Sequence, residues 1–371
     1  MHIRDNERAS ADAATPPLPP PRGPISASVL DVVTSATNEP VPIWLDDIDA
    51  TEALRGDDFH LALYVLYELH YRSFQGVDDR REWDPRLLRI RGALEEHFER
   101  ALRAATDGPF ATDDVVGSVR DIVDNSSGPS LSAFMDRVGT IEDMREFAIH
   151  RSAYQLKEAD PHTWVLPRLR GRAKAAMVAI QFDEYGLGEQ AAMHSELFAD
   201  TLQSLGLDST YGAYVDQLPG STLATVNLVT MFGLHRRLRG ALVGHLAVFE
   251  MTSVTPMQRY SRALERIGID SIARRFYDVH VAADEFHQEI ALYQLVAGLI
   301  ADEPQLGVDV VFGAKAVMLV EATFAQHLLD SWAAGLSSLL TTPLKARRAG
   351  APPLARAMQQ PVRATHATTT R

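Results

Sequence analysis

The amino-acid sequence predicts an all-α fold, on three observations. Apolar residues recur at i, i+3 and i+4 through almost every segment between residues 57 and 340. Pro161, Pro167, Pro219, Pro256 and Pro304, together with Gly-bearing turns, punctuate those segments. Alternating apolar and polar runs, the mark of half-buried strands, are few and short.

Taken in order, residues 1–24 carry the run Pro16-Pro17-Leu18-Pro19-Pro20-Pro21 and are expected to form a disordered, Pro-rich tail. Residues 25–140 read as N-terminal helices, with helical period over 57–74 and 85–105, and are expected to include one ligand-bearing helix. Residues 141–340 read as the main bundle. Long helical patterns run over 131–157, 168–205, 222–252, 271–301 and 308–340, lengths at which facing helices can place side chains in a shared core. Residues 341–371 are poor in large apolar groups, carry Lys345, Arg347, Arg348, Arg356, Arg363 and Arg371, and are expected to be a flexible basic tail.

Composition narrows the function. Lys and Arg total 36 against 49 Asp and Glu, a net charge of −13, which argues against a general nucleic-acid partner because phosphate neutralisation needs a basic face. There is no cysteine, so disulfides, thiolate nucleophiles, iron–sulfur clusters and Cys-ligated zinc are excluded from this chain. A metal here must be held by nitrogen and oxygen. No secretory signal is visible, and no run reaches the ~18–20 apolar residues of a membrane span, so a cytoplasmic protein without a membrane partner is expected.

The most informative string is His280-Val281-Ala282-Ala283-Asp284-Glu285-Phe286-His287. At about 100° per residue, His280, Asp284 and His287 fall within an arc of roughly 60° on a helix. Imidazole and carboxylate on one inward stripe suit iron, zinc or manganese. Other acids and histidines break apolar runs in the same way. Glu68 sits in Leu63-Tyr64-Val65-Leu66-Tyr67-Glu68-Leu69, where burial is costly unless the carboxylate is paired or metal-bound; the alternative is a buried Arg partner or a solvent-facing position. Glu250 closes Leu246-Ala247-Val248-Phe249-Glu250, with a surface helix end as its alternative. Glu184 and His194 stand ten residues apart, roughly 15 Å of rise on an unbroken helix and too far for one site. Gly186 and Gly188 lie between them, so a shared site requires the helix to break there; the alternative is a surface acid and a core histidine.

The inward set is therefore Glu68, Glu184, His194, Glu250, His280, Asp284 and His287: four carboxylates, whose charge two divalent metals would cancel, and three histidines. Ligand type favours iron or manganese and leaves zinc open. His2, His97, His150 and His366 read as exposed, while His60, His162, His235, His245 and His327 read as core or supporting histidines. Arg168, Arg170, Arg172 and Lys174 read as a solvated basic face.

The pattern of a lone Glu, a Glu-x9-His, a second lone Glu and a His-x3-Asp-x2-His resembles the haem-oxygenase-like di-iron oxidases and oxygenases, whose bacterial members are often labelled iron-containing redox enzymes. Leu66-Tyr67-Glu68-Leu69-His70-Tyr71-Arg72, Glu158-Ala159-Asp160-Pro161-His162-Thr163-Trp164, Asp183-Glu184-Tyr185-Gly186 and the stretch from Gly244-His245-Leu246-Ala247 to Phe249-Glu250-Met251-Thr252 are similar to that group as well. The likeness spans about residues 57–300. It implies a seven-helix haem-oxygenase-like bundle, here with extra N-terminal helices and tails, two Fe(II)/Fe(III) ions on the seven residues above, and O2 as co-substrate. It further implies a small amine, amino-acid or fatty-acid-type substrate, undergoing N-oxygenation, desaturation or oxidative C–C cleavage, often in natural-product biosynthesis. Some relatives add a Cys-bearing iron–sulfur module; this sequence carries none, so electrons are expected from an external donor or from the substrate. A homodimer is the assembly expected where there is one. The rival reading is a helical iron-binding or storage module without turnover.

Overall fold

A computed structural model describes residues 15–35, 48–109, 111 and 113–340. Among the described residues there are helices and turns and no strand. Residues 1–14 of the first expected tail and all of the second, 341–371, lie outside the described residues. The described part of the first is not a free tail: Pro16 is buried, its carbonyl accepts from the Gln75 amide at 2.9 Å, and Leu18 packs on the core.

The N-terminal helices are α1 (Pro24–Thr34), α2 (Ala50–Arg55), α3 (Asp57–Glu68), α4 (Pro85–Ala105) and α5 (Val115–Asp124). Helix α3 is apolar from Phe59 to Tyr67 except for His60 and is buried on every side, between α1 and α11 (Gly220–Leu234). The expected helix over 131–157 is two helices, α6 (Leu131–Arg137) and α7 (Ile141–Gln155). Thr140 starts the second with a reciprocal cap: its amide donates to Asp143 Oδ2 at 2.9 Å and its Oγ1 accepts from the Asp143 amide at 3.2 Å.

The short α8 (Asp160–Thr163) leads to α9 (Gly171–Glu184) and α10 (His194–Ser204). The pattern over 222–252 divides at His235–Leu238 into α11 and α12 (Arg239–Arg266). Helix α12 runs through Pro256, which does not punctuate the chain as its sequence position suggests. Helix α13 (Ser271–Ile290) continues through a π-helical turn, Ala291–Val296, into α14 (Ala297–Asp302), and α15 (Gly307–Ala333) completes the bundle.

Helix α12 is the axis of the assembly, packed along both α13 and α15. Its crossing with α15 is close because Gly244 and Gly313 lie at the contact: a Cβ on Gly244 would stand 1.9 Å from the Val310 carbonyl oxygen, and one on Gly313 2.0 Å from that of Ala241. The interior holds two apolar clusters. Ile180, Leu242, Leu246 and Val248 belong to the larger, and Phe198, Phe276, Tyr277 and Tyr260 to the smaller. The polar groups described next lie where these clusters meet.

Candidate metal centre

Helix α13 is started by Asp270, whose Oδ1 accepts from the amides of Ile272 and Ala273, each at 3.0 Å. Its inward face then presents His280, Asp284 and His287, 4%, 2% and 1% exposed, while Phe286 on the opposite face is exposed. Two of these side chains are oriented from outside the cluster. His280 donates from Nδ1 to the Phe276 carbonyl at 2.8 Å, which turns Nε2 inward, 3.5 Å from Glu158 Oε1. His287 donates from Nε2 to Asp183 Oδ2 at 2.9 Å, which turns Nδ1 inward. That nitrogen lies 3.3 Å from Glu250 Oε2, 3.3 Å from Asp284 Oδ1 and 3.8 Å from Glu184 Oε1.

The helix between Glu184 and His194 is broken, as their spacing requires. Helix α9 ends at Glu184, two 3-10 turns cover Gly186–Gly188 and Gln190–Ala192, and His194 opens α10. Gly186 makes the turn possible: its φ is +65°, and a Cβ there would fall 2.4 Å from the backbone of Ala192 and Met193. The result brings His194 Nδ1 to 2.7 Å from Glu184 Oε2.

Six of the seven residues expected in the site are thus brought together; Glu68 is not. It is fully buried, but its Oε2 accepts from Lys157 Nζ at 2.9 Å and its Oε1 from the Tyr211 hydroxyl at 2.7 Å. Apolar flanks signal burial, and here burial is made tolerable by an ammonium group rather than by the cluster. The carboxylate that joins the cluster is Glu158, in the turn after α7. One potential ligand group is Glu158, Glu184, His194 and His280; a second is Glu184, Glu250 and His287; within each, the ligand atoms lie within 4.8 Å of one another. Glu184 is common to both, and Asp284 flanks the second.

The residues fit a bound cation. Among the described residues, Glu158 Oε2, His194 Nδ1, Asp284 Oδ1 and His287 Nδ1 are buried without a hydrogen-bond partner. His194 and Glu184 approach to 2.7 Å, but not along an N–H donor direction. Nitrogen and oxygen atoms that converge without hydrogen-bonding to one another are what ligands of a common ion require.

The electrostatics agree. Burial pushes the Glu250 carboxyl up to about 8, with Asp284 and Glu184 adding to the rise. It also raises Glu158, where His280 opposes it. Burial opposes ionisation of Glu184 too, but His194, His280 and His287 overcome it and hold that carboxyl at about 2. Burial disfavours charge on His280 and His287, yet Glu158, Glu184 and Asp284 raise the first to about 10, and Asp284 and Glu250 raise the second to about 11. Without metal, the imidazoles carry the positive charge the acids demand.

A cavity of about 500 Å3 opens onto this cluster. Glu158, Glu184, Glu250, His280 and Asp284 line it, together with Tyr154, Phe249, Tyr260 and Tyr277. Arg151 also lines it, held in a two-point ion pair with Glu321 at 3.0 and 2.7 Å. Among the described residues the Tyr277 hydroxyl and Gln155 Oε1 have no hydrogen-bond partner.

The other histidines are structural or supporting. His150, expected at the surface, is buried between Thr222 Oγ1 (2.7 Å) and Ser338 Oγ (2.9 Å); His97 is half-buried, and His2 and His366 lie outside the described residues. His162 and His245 pair at 3.2 Å behind Phe249. His60 meets Asn227, His235 meets Glu95 and His327 meets the Ser338 carbonyl. Of the basic group, Arg168 caps the end of α11 through the carbonyls of Gly233 and Leu234.

The sequence profile of the iron-containing redox enzyme family matches residues 145–322, the stretch that contains both ligand groups. That segment of the chain belongs to the iron-containing redox enzyme family. Its fold is the all-α, haem-oxygenase-like bundle. The match begins at residue 145 rather than near 57, so it includes Glu158 and leaves out Glu68. The chain is also similar to nitrosourea synthase from Streptomyces achromogenes subsp. streptozoticus, 26% identical over 218 residues. That alignment covers 57% of this chain and 46% of the synthase, so the chain spans about half the length of this relative. Among the described residues, no helix is long and apolar enough to cross a membrane.

Proposed function

We propose that this protein is a non-haem di-iron oxidase or oxygenase that uses O2 to oxidise a small, nitrogen-bearing substrate in secondary metabolism. One observation carries the reading: two adjacent groups of carboxylate and imidazole ligands share Glu184, and a substrate-sized cavity is lined by members of both. Glu158, His194 and His280 would hold one iron and Glu250, Asp284 and His287 the other, with Glu184 between them. Iron bound there supplies the binding and reduction of O2.

The remaining steps belong to the protein. The Phe276 carbonyl and Asp183 hold His280 and His287 in the tautomer that offers a lone pair inward. Phe249, Phe276, Tyr154 and Tyr277 wall the cavity beside the ligands and keep bulk water from the reacting end. Tyr277 and Gln155 offer a free hydroxyl and a free amide oxygen to an incoming polar molecule. This lining suits an amine or amino-acid-like substrate better than an alkyl chain. The relative's name supports oxidation at nitrogen, since a nitrosourea carries an N-nitroso group.

A storage module needs ligands but no chamber, and the cavity favours turnover. The test is O2 uptake by the iron-loaded protein across a panel of amines, guanidines, amino acids and fatty acids. Substrate-dependent uptake with an N-oxidised product supports the reading. Iron uptake with no substrate-dependent O2 consumption across the panel would overturn it in favour of storage.

A further inference from the structure

The buried pair Lys157–Glu68 lies outside both ligand groups, yet Lys157 adjoins Glu158 in the chain. Resting on the metal-centre reading above, we propose that this pair is a positioning device for Glu158, with Glu68 on α3 as its fixed end.

The turn that carries Glu158 is short and in an unusual conformation. After α7 ends at Gln155, the Lys157 amide bonds to the Tyr154 carbonyl at 2.9 Å and the Asp160 amide to the Lys157 carbonyl at 3.1 Å. Between them Ala159 has φ +75°, a left-handed conformation that costs a non-glycine residue energy and persists only when its surroundings fix it. The Ala159 carbonyl accepts from the His162 and Thr163 amides of α8, each at 3.1 Å, and two longer-range contacts tie the turn to its surroundings. On one side Gln181 Nε2, from α9, donates to the Ala159 carbonyl at 2.9 Å. On the other, Lys157 Nζ reaches Glu68 Oε2 at 2.9 Å, with both side chains essentially without solvent exposure.

The surroundings of this pair are built to hold it. Glu68 Oε1 accepts from the Tyr211 hydroxyl at 2.7 Å and from the Arg72 amide at 3.3 Å. The ammonium lies over the ring of Tyr71, 4.2 Å from its centroid, and 5.2 Å from that of Tyr64. A buried ion pair of this kind adds little net stability, but removing either partner leaves an uncompensated buried charge, so each side chain constrains where the other lies. Here the specified quantity is which way residues 157 and 158 face. Lys157 turned towards Glu68 leaves Glu158 turned towards Glu184, His194 and His280. Helix α3, outside the segment matched by the family profile, thereby helps to set the geometry of one ligand group and not the other.

The experiment compares the full chain with Glu68→Gln and with the apolar double variant Glu68→Leu/Lys157→Met, using Co(II) and Mn(II) binding isotherms with metal counted per chain. Circular dichroism and thermal melting establish folding. The expected result is two metals in the parent chain. In the variants, one class of site weakens by tenfold or more while the class formed by Glu184, Glu250 and His287 keeps its affinity. A general loss of stability would weaken both classes alike, and would overturn the proposal, as would unchanged binding of both metals in either folded variant. If the parent chain takes up no metal, the metal-centre reading itself fails. If the double variant does not fold, Glu68→Gln alone decides, because it keeps the side-chain shape and removes only the charge.

Discussion

Loading metal into this centre must expel protons, and the number follows from the arrangement of charges. In the metal-free protein the His280 and His287 imidazoles, held at about 10 and 11 by the surrounding acids, are both fully protonated at pH 7. The Glu250 carboxyl is raised as well, but it faces the His287 imidazole, so these two groups hold one proton between them in this count. A metal bound to His280 Nε2, His287 Nδ1 and Glu250 displaces one proton from His280 and one from the His287–Glu250 pair, so at least two protons leave per fully loaded chain. The Nδ1–H of His280 and the Nε2–H of His287 stay, since they serve Phe276 and Asp183. Around pH 6–7 the overall binding constant should therefore rise at least about a hundredfold per pH unit, about 2.7 kcal/mol in binding free energy. Isothermal titration with Mn(II) or Co(II), repeated in buffers of different ionisation enthalpy, counts the protons directly. Release of less than one proton, or affinity independent of pH between 6 and 7, would refute the reasoning.

Other outcomes follow from single contacts. Gly186→Ala puts a Cβ 2.4 Å from the Ala192–Met193 backbone at φ +65°; it should cost on the order of 1–3 kcal/mol in thermal stability and separate Glu184 from His194, which a loss of metal stoichiometry would register. Asp183→Asn weakens the bond that orients His287 and should lower metal affinity ~10–100-fold with little change in melting temperature. His60 is buried and neutral, its pKa lowered to about 3 by burial, so the unfolded chain binds this proton first as pH falls below 6.5. Its contribution to stability is thus present above 6.5 and lost towards its folded value. His60→Asn should abolish a slope of about 1.4 kcal/mol per pH unit between pH 6 and 4, measurable as a difference from the parent chain in urea unfolding.

The helical bundle was legible because its signal is local: apolar period, capping residues and glycine turns all lie within one segment. The His280, Asp284 and His287 stripe was legible for the same reason, since one helix fixes all three. Glu184 and His194 required one more step, from the two glycines to a break, and the structure has that break. Glu158 was not legible by this logic. It stands in Lys157-Glu158-Ala159-Asp160, a polar run with no apolar context to mark it as buried, and its direction depends on a long-range pair with residue 68. Glu68 misled because a fully buried helix makes any acid on it look like a ligand. The lysine beside Glu158 was the available clue: a buried carboxylate needs a cation, and Lys157 could supply it.

The most direct measurement is iron per chain after anaerobic Fe(II) reconstitution, taken for the parent, Glu158→Ala, Glu250→Ala and Glu68→Ala with a parallel record of Fe(II) oxidation on mixing with O2. Two irons in the parent that oxidise together, falling to one or none in Glu158→Ala and in Glu250→Ala, is the predicted result, with Glu68→Ala retaining the Glu184–Glu250–His287 iron. One iron or none in the parent, or undiminished loading in both Glu158→Ala and Glu250→Ala, would contradict the di-iron assignment.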